Sequence, residues 1–449
     1  MKLGEPTVVA VGPHEMTGPE SWGFFQFPDL WQGKDGSLYL VINVGADSLA
    51  GRHEPSPFFA SRSEGRSWYP IPPEDADRSP AILDLPDGRQ VAFGDYRRIY
   101  HFHAVAQEGS KQMPRLSALD LGMKPVMGPF LSSYKVAYQC CYRYGDVPED
   151  KRQFPVLQRA SAGMPWERRS GRIEMDDLLL RAMVRTGWDD EEGNFTWKEF
   201  GHEFKVPVPN WPNQIAVLPD GTILWALEGQ DPKVCDRQCW QVTCMASEDG
   251  GCTWRLRGMI ADDRSAATWG YGAGEQSLAL MPNGDLLCVM RTKMSNEMED
   301  THHLAAARST DGGRSWTAVQ PISEFSVTPF LIPLENGVVA LLYGRPGVHV
   351  RVSTDSGMSW SDSMPVVGPP EAELTAMPLA DWWKVRHDFS CSNLDVVVSG
   401  PDRFLVAYSD FQHEDADHRT CKAIKVREIT CFTSTAPNPI DLDSLPLRQ

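Results

Sequence analysis

The 449-residue sequence predicts an all-β protein with the architecture of a six-bladed β-propeller, and three observations support this prediction. A hairpin unit, made of an apolar strand, a tight turn and a second apolar strand, recurs six times. A separate eight-residue turn ending in Trp recurs four times. The 15 Trp and 35 Pro residues suit strands joined by many turns. Repetition of one small sheet around an axis accounts for all three observations, so residues 1–449 are expected to form a single propeller domain.

The hairpin unit is the more regular of the two repeats. Its copies begin at Phe27, Ala81, Gln214, Gln276, Pro329 and Ser392. The first five copies place Asp-Gly or Asn-Gly between alternating apolar residues, which is a strong hairpin signal because both turn residues must accept φ > 0. The sixth copy lacks the glycine. Further strand-like segments follow most copies, so each copy is expected to supply the first half of a four-stranded blade.

The spacing of the hairpins predicts an insertion in the second-to-third blade region. The turn glycines Gly36, Gly88, Gly221, Gly284 and Gly337 are separated by 52, 133, 63 and 53 residues. The long interval therefore holds about 70 to 80 extra residues by comparison with its neighbours. We expect this irregular insertion within about 100–200, where the segment Met175–Trp188 could form a short helix.

The eight-residue turn reads STDGGRSW from Ser309, SEDGGCTW from Ser247, STDSGMSW from Ser353 and SRSEGRSW from Ser61. Its Asp can accept hydrogen bonds from the backbone of the turn, its Gly permits a left-handed step and its Trp can pack between sheets. In the copy from Ser61, Ser63 replaces the Asp and can still accept a hydrogen bond. We interpret the turn as a structural link between two outer strands of a blade, with no catalytic role.

These turns resemble the Asp-boxes, or BNR repeats, of sialidases and their relatives. The resemblance covers nearly the whole chain apart from the insertion. It implies a sialidase-like propeller with its active site at one end of the axis. Asp-boxes also occur in proteins that cleave nothing, so the resemblance alone does not imply catalysis.

Hairpin geometry brings chemically useful residues to one end of the predicted propeller. Residues equally far from a hairpin turn face each other, and all the hairpins run the same way around the axis. Their open ends should therefore form one concave mouth, with the Asp-boxes at the opposite end. The pairs expected at the mouth are Glu275 with Arg291, Thr328 with Arg345, Asn213 with Glu228, Pro80 with Asp95, Gln26 with Gly45, and Ser392 with Tyr408.

The sialidase resemblance implies roles for several of these residues. Glu275 resembles the base-like Glu that opens an inner strand, Arg291 resembles the second carboxylate-binding Arg, and Arg345 resembles the Arg of the following blade. The acid/base Asp is expected at Asp47, with His53 and Glu54 as alternatives. The other residues expected at the mouth, as candidates for substrate binding, are Arg97, Arg98, Glu228 and Asp95.

Two positions depart from the family pattern. The family's first Arg is replaced by Gln26, which can donate two hydrogen bonds but carries no charge. The nucleophilic Tyr normally opens the last inner strand, where this chain has Phe389 or Cys391. Tyr408 and Tyr271 are expected to reach the same mouth, and we assign Tyr408 as the candidate nucleophile.

These residues predict a sialidase-like exo-glycosidase that hydrolyses a terminal, acidic sugar from a glycan. A retaining reaction requires that Tyr408, Tyr271 or a carboxylate reach the anomeric carbon, whereas paired carboxylates such as Glu228 and Glu275 would suit inversion. One alternative is an exo-glycosidase for a non-sialic sugar. The other is a catalytically silent propeller that binds a glycan or a protein partner at the same mouth.

Composition and charge narrow the range of partners. The formal net charge of −17 argues against a nucleic-acid partner and an anionic membrane surface. The N-terminus lacks a signal-peptide pattern, and no stretch reaches the roughly 20 apolar residues of a membrane helix, so a cytoplasmic protein is expected. The ten Cys residues lack metal-ligand spacing, so neither a metal nor a cofactor is expected. The sequence carries no signal for an oligomeric state.

Overall fold

The computed structural model describes most of the chain. The described residues are 1–17, 23–44, 56–77, 81–93, 137–146, 149–185, 188–189, 195–196, 202–203, 207–209, 211–230, 241–262, 272–293, 303–325, 327–378, 381, 385 and 387–433. Strands make up 52% of the structure and helices 7%, which confirms the prediction of an all-β protein.

The strands are numbered in chain order. They are β1 (Lys2–Leu3), β2 (Thr7–Val11), β3 (Gln26–Gln32), β4 (Leu38–Asn43), β5 (Phe58–Ser61), β6 (Tyr69–Ile71), β7 (Ile82–Asp84), β8 (Gln90–Phe93), β9 (Ala137–Arg143), β10 (Phe154–Arg159), β11 (Glu167–Ile173), β12 (Leu179–Arg185), β13 (Trp188–Asp189), β14 (Phe195–Thr196), β15 (His202–Glu203), β16 (Ile215–Val217), β17 (Ile223–Gln230), β18 (Val242–Ser247), β19 (Thr253–Ala261), β20 (Gly272–Leu280), β21 (Leu286–Lys293), β22 (His303–Ser309), β23 (Gln320–Ser323), β24 (Val327–Pro333), β25 (Val339–Gly344), β26 (Val348–Ser353), β27 (Met364–Val367), β28 (Asp395–Gly400), β29 (Arg403–Glu414) and β30 (Thr420–Thr430).

Helical segments are short. The α-helices are α1 (Glu149–Arg152) and α2 (Glu371–Thr375), and the 3₁₀ turns are His14–Met16, Pro73–Asp75, Tyr144–Asp146 and Pro212–Gln214. Within the described ranges, none of these helices is long and apolar enough to cross a membrane.

The chain divides into two compact units. The first comprises Met1–Ser79, Glu275–Asp311 and Thr317–Gln449, and the second comprises Pro80–Gly274 and Gly312–Trp316. The single domain over residues 1–449 and the closed six-bladed arrangement stay predictions.

The first unit is built from four sheets that each start with a hairpin repeat. Three of them are four-stranded and follow chain order, β3-β4-β5-β6, β20-β21-β22-β23 and β24-β25-β26-β27. In the fourth, β28, β29 and β30 lie side by side, and the N-terminal strands β1 and β2 both pair with β30. Apolar cores fill the layers between successive sheets. One such core joins β24–β27 to β28–β30 through side chains such as Leu342, Val350 and Phe404.

The second unit contains an eleven-stranded sheet. Two runs within it repeat the antiparallel hairpin-based order, β7-β8-β10-β11 and β16-β17-β18-β19. The runs are joined by a parallel pairing of β11 with β19, and their shared core contains Phe93, Trp225 and Trp254. All six predicted hairpins therefore form neighbouring strands of a sheet.

The segment between the second and third hairpins contains additional strands. Strand β12 pairs with β9, β15 and β17, and its pairing with β9 runs from Leu179 opposite Arg143 to Arg185 opposite Ala137. The expected short helix in Met175–Trp188 is therefore wrong. The apolar run of β12 gains a full antiparallel ladder from a distant partner, and this pairing outweighs the local helix preference of Leu, Arg, Ala and Met.

The four eight-residue turns occupy the predicted place in the sheets. They join β5 to β6, β18 to β19, β22 to β23, and β26 to β27, which are the third and fourth strands of each sheet. In one of them, Asp249 accepts hydrogen bonds from Ser247 Oγ (2.8 Å) and from the backbone of Thr253 (2.8 Å), and the Trp254 indole donates to the carbonyl of Gly251 (2.8 Å). The turn is thus a rigid structural link, as its sequence predicted.

Candidate active site at the inner-strand entrances

In each of the four sheets of the first unit, the first strand (β3, β20, β24 or β28), here called the inner strand, has a residue in the left-handed region of backbone conformation near its start. The φ angles of these residues are +52° at Phe27, +47° at Glu275, +44° at Thr328 and +62° at Ser392. Phe27, Glu275 and Thr328 each lie nine residues before their turn glycine, and Ser392 lies nine residues before Pro401 of the copy that lacks one. Such a conformation costs about 1–3 kcal/mol for a residue other than Gly and persists only where the surroundings enforce it. We call these four residues the entrance residues.

Glu275 is the one entrance residue among the four that carries a charge, and its carboxylate is held from two sides. Arg291 Nη1, at the exit of the same hairpin, donates to Oε1 at 2.9 Å and to Oε2 at 3.1 Å. The backbone N–H of Thr328, on the next inner strand, donates to Oε2 at 3.3 Å. The side chains of Glu275 and Arg291 are 31% and 14% exposed, so the pair is accessible but partly shielded from water. Charge-assisted hydrogen bonds of this kind fix the orientation of a carboxylate.

Side-chain hydrogen bonds connect the entrance of β20 to those of the next two inner strands. Asn393 directly follows Ser392, the entrance residue of the last sheet. Its Nδ2 atom donates to Thr328 Oγ1 at 3.0 Å. Further along the same strands, the backbone N–H of Leu331 donates to Ser277 Oγ at 3.0 Å. The Glu275 carboxylate is therefore the first member of a polar chain that runs across three neighbouring sheets.

Arg345 lies beside this chain, at the exit of the β24–β25 hairpin. The last residue of β25, Gly344, pairs with Val327 at the end of the antiparallel ladder, so Arg345 follows directly beyond that end rather than opposite Thr328, the position expected from hairpin counting. Its Nη2 atom donates to the backbone carbonyl of Cys391, which precedes the entrance residue Ser392. Glu275, Arg291 and Arg345 thus lie at the open ends of two neighbouring hairpins.

Gln26, which stands where the sialidase pattern has an Arg, is completely buried. Its Oε1 atom accepts the N–H of Gly23 at 2.9 Å, and the opposite residue of the ladder, Asn43, donates to the Gly23 carbonyl at 2.9 Å. No hydrogen-bond partner for Gln26 Nε2 lies within the described ranges. The side chain therefore holds the corner that leads into β3.

Tyr408 is buried in the core, and its assignment as nucleophile is corrected. The side chain is 2% exposed and lies in the apolar core with Phe404, Val406 and Ile429. Burial raises the pKa of its hydroxyl above the usual range. Strand β29 is covered on both faces, so residues near the hairpin exit still point into the layers between sheets.

Glu228 lies in the second unit, on β17. It pairs with Val242, and its carboxyl group packs against Gly274, where an added Cβ would lie 2.9 Å from the carboxyl carbon. The predicted candidates Asp47, His53, Asp95 and Arg97, together with Glu54, Arg98 and Tyr271, lie outside the described residues.

The structure also reveals polar residues that sequence reasoning missed. Asp395, on inner strand β28, accepts the N–H of Leu30 on neighbouring strand β3 at 2.8 Å and the N–H of Val396 at 2.8 Å. The pKa of Asp395 is raised to about 8. Burial is the larger cause, and the nearby charge of Asp29 adds to it. The signal available in the sequence was a pair of polar residues, Asn393 and Asp395, at the start of an otherwise apolar strand.

A cluster of three or more His, Cys, Asp or Glu side chains that could hold a metal ion is absent from the part of the chain that the structure describes. The arrangement at the entrance residues instead offers an oriented carboxylate and two guanidinium groups. The carboxylate can accept a proton, and the guanidinium groups can bind an anionic or hydroxyl-rich ligand.

The repeats and sheets define a class of β-sheet proteins built from Asp-box units, and a comparison with protein families agrees. A family model described as BNR repeat-like domain matches residues 191–416, just over half of the chain. The chain belongs to this BNR repeat-like family. No curated protein sequence matches the chain.

Several solved structures are similar to the chain at low sequence identity. A protein of unknown function from Dyadobacter fermentans is 17% identical, with 95% of this chain and 99% of that chain covered and a TM-score of 0.48. The Hadza microbial sialidase Hz136 is 14% identical, with 90% and 65% covered and a TM-score of 0.44. An α-L-arabinofuranosidase from Fusarium graminearum, in complex with an iminosugar inhibitor, is 13% identical, with 95% and 98% covered and a TM-score of 0.43.

Proposed function

We propose that the protein is an exo-acting glycosidase that hydrolyses a terminal acidic sugar from a glycan. The observation that carries the proposal is the Glu275 carboxylate, held by Arg291 at a strained inner-strand entrance. Strained residues with a specific charge partner concentrate at functional sites. The BNR repeats of this chain, which resemble the Asp-boxes of sialidases, support the proposal.

In this proposal Glu275 is the base. Its carboxylate takes a proton from the attacking hydroxyl or water while the glycosidic bond breaks and the leaving oxygen is protonated by an acid. Arg345 and Arg291 bind the anionic group of the sugar and fix the ring for attack. With Tyr408 in the core, the nucleophile is a water molecule or a residue other than Tyr408.

The role of Glu275 is tested with a fluorogenic panel of an α-sialoside, a β-glucuronide, an α-arabinofuranoside and a β-galactoside. Glu275→Gln should lower kcat by about 10²- to 10⁴-fold on the substrate that the wild type cleaves, because it removes the base. The matched control is Asp285→Asn. The Asp285–Arg308 ion pair has the same 2.9 Å length and belongs to the same sheet, but it lies at the turn end of the hairpin.

Asp285→Asn should therefore leave kcat unchanged. Equal losses in both variants would show that the Glu275–Arg291 pair only stabilises the sheet.

Within the acidic-sugar proposal, Arg345→Ala should raise KM for the sialoside or glucuronide and leave turnover of neutral glycosides unaffected. Equal activity of the wild type on neutral and acidic glycosides would favour the non-sialic exo-glycosidase.

A second candidate function is a catalytically silent glycan-binding protein. Two observations favour it, the uncharged and buried Gln26 at the position of an Arg and the burial of Tyr408 in the core. This candidate predicts that no member of the panel is cleaved. A glycan array should then show binding that Arg345→Ala abolishes.

A further inference from the structure

The four-residue connection Gly344–Gly347, which carries Arg345, is held in place from two sides. On one side Ser392 Oγ donates to the carbonyl of Gly347 at 2.6 Å, next to the contact between Arg345 and the Cys391 carbonyl. Neither glycine can accept a side chain, because a Cβ at Gly344 or Gly347 would lie 2.2 Å or 2.4 Å from a backbone oxygen. The path of the backbone around Arg345 is therefore narrowly defined.

On the other side the connection is held by His349. Its Nε2 atom lies 3.0 Å from the carbonyl oxygen of Pro346, the residue after Arg345. The imidazole is fully buried and stacks between the rings of Phe325 and Tyr343, with centroid distances of 5.8 Å and interplanar angles of 22° and 29°. The stacking fixes the plane of the ring, so Nε2 points at one carbonyl.

The protonation of His349 follows from its two partners. A carbonyl oxygen can only accept, so Nε2 carries the proton and donates to Pro346. Nδ1 is then the acceptor that faces Ser363 Oγ at 3.4 Å. Burial lowers the pKa of His349, which keeps the imidazole neutral and preserves this tautomer.

The stacking partner Tyr343 is itself anchored in a buried polar network. Glu371, on α2, accepts hydrogen bonds from Tyr343 Oη and Ser323 Oγ, both at 2.5 Å, and from Arg351 Nη2 at 3.0 Å. Arg351 Nε also donates to Tyr343 Oη at 2.6 Å. Hydrogen bonds of this network connect the Tyr343 ring, which stacks on His349, to strands β23 and β26 and to helix α2.

We propose that His349 is a positioning residue for Arg345, which it orients toward a substrate anion through the hydrogen bond to the Pro346 carbonyl. The inference rests on the proposed function, because it assigns Arg345 to an anionic sugar. His349 touches no substrate in this account.

Two substitutions separate the hydrogen bond of His349 from its packing. His349→Phe keeps an aromatic ring between Phe325 and Tyr343 but removes the donor to Pro346. His349→Gln loses the stacking but places an amide N–H where Nε2 stood. The readout is KM and kcat on the acidic and neutral fluorogenic glycosides, with thermal melting to confirm folding.

The inference predicts that His349→Phe raises KM for the acidic substrate about five- to tenfold, the effect of a lost donor to a buried carbonyl. Its kcat, and both parameters for neutral substrates, should stay within about twofold of the wild type. His349→Gln should retain an acidic-substrate KM within about twofold of the wild type despite its altered packing. Equal changes for both substrate classes, or an unchanged KM in His349→Phe, would overturn the inference.

Arg345→Ala, measured on the same panel, separates this inference from the proposed function. If Arg345→Ala has no selective effect on acidic substrates, the anionic anchor itself is wrong. If it has that effect and His349→Phe does not, only the role of His349 fails. Should His349→Phe not fold, His349→Asn provides the same test, because its shorter amide cannot reach the Pro346 carbonyl.

Discussion

At the scale of single residues, Asp395 makes the stability of the inner strands depend on pH. Its carboxyl group accepts backbone N–H groups from Leu30 and Val396, and burial together with Asp29 raises its pKa to about 8. The ordinary value is 3.8, so between about pH 4 and 8 the folded protein keeps a proton that the unfolded chain releases. The free energy of unfolding therefore falls as pH rises through this window.

Asp395→Asn should remove this dependence, because its amide stays neutral at every pH. Relative to the wild type, the variant should gain melting temperature as the pH rises from 5 to 8. The difference between the two proteins should level off above pH 8. Differential scanning calorimetry in matched buffers measures the two curves. Curves that stay parallel over the whole range would show that Asp395 titrates near its ordinary pKa.

Sequence reasoning located some individual residues and misplaced others, for physical reasons. The contact between Glu275 and Arg291 followed from counting outward from a hairpin turn, since ladder geometry is local. The burial of Tyr408 depends on a neighbouring sheet, which hairpin counting does not include. The left-handed backbone of Glu275 and Thr328 was also invisible, because L-residues other than Gly rarely adopt it and nothing in their side chains requires it.

At the scale of single elements, the Asp-box turn depends on one acceptor. Asp355 accepts hydrogen bonds from Ser353 Oγ (2.7 Å), the Met358 N–H (3.1 Å) and the Ser359 N–H (2.9 Å). Burial acts to raise the pKa of Asp355, but these hydrogen bonds outweigh it and the pKa lies below the ordinary value. The carboxylate stabilises the turn above the unfolded pKa, and this contribution is lost as pH falls through the folded pKa.

Asp355→Ala should lower the free energy of unfolding by about 1–3 kcal/mol, because the turn loses its shared acceptor. Turnover on the glycoside panel should not change, since the turn lies away from the inner-strand entrances. Urea denaturation and the fluorogenic assay measure the two quantities. A loss of activity without a loss of stability would contradict the structural role of the turn.

The reciprocal experiment uses the copy that lacks the Asp. Ser63 Oγ accepts the Ser67 N–H at 2.9 Å and has no second backbone donor among the residues the structure describes. Ser63→Asp should raise the free energy of unfolding by up to about 1 kcal/mol, because a carboxylate is a stronger acceptor. Denaturant unfolding of the single variant checks this, and a destabilised variant would show that the first turn has a different geometry.

Elements were predictable where their signal is local. Asp-Gly and Asn-Gly turns identified both strands of five hairpins, and all five are present. Strands β9 and β12 were not identified, because each finds its partner about 40 residues away and no turn signal marks the pairing. The same distance explains why Leu179–Arg185 was taken for part of a helix.

At the scale of the whole molecule, the first strands of the chain complete its last sheet. Strands β1 and β2 pair with β30, from Lys2 opposite Thr430 to Val11 opposite Ala423. Without them β30 would present an unpaired backbone edge, which is a template for association between chains. The N-terminal residues therefore contribute to the stability of an element some 420 residues away.

Deletion of residues 2–11 should lower the melting temperature and promote association, measured by calorimetry and size-exclusion chromatography. A control variant carrying Val8→Ser and Val11→Ser keeps the backbone pairing and changes two side chains that are each 41% exposed. It should behave like the wild type. A deletion variant with the elution volume and melting temperature of the wild type would show that β30 does not need this cover.

The four entrance residues share a nine-residue interval to the turn of their hairpin. Glu275 and Thr328 have similar φ angles, +47° and +44°, at the same distance from a turn glycine, so an acid at either position is expected to lie at the same distance from its hairpin turn. Moving the acid to position 328 would relocate it by one sheet while the scaffold beneath stays constant. A point substitution at an entrance residue is therefore expected to change which sheet carries the acid.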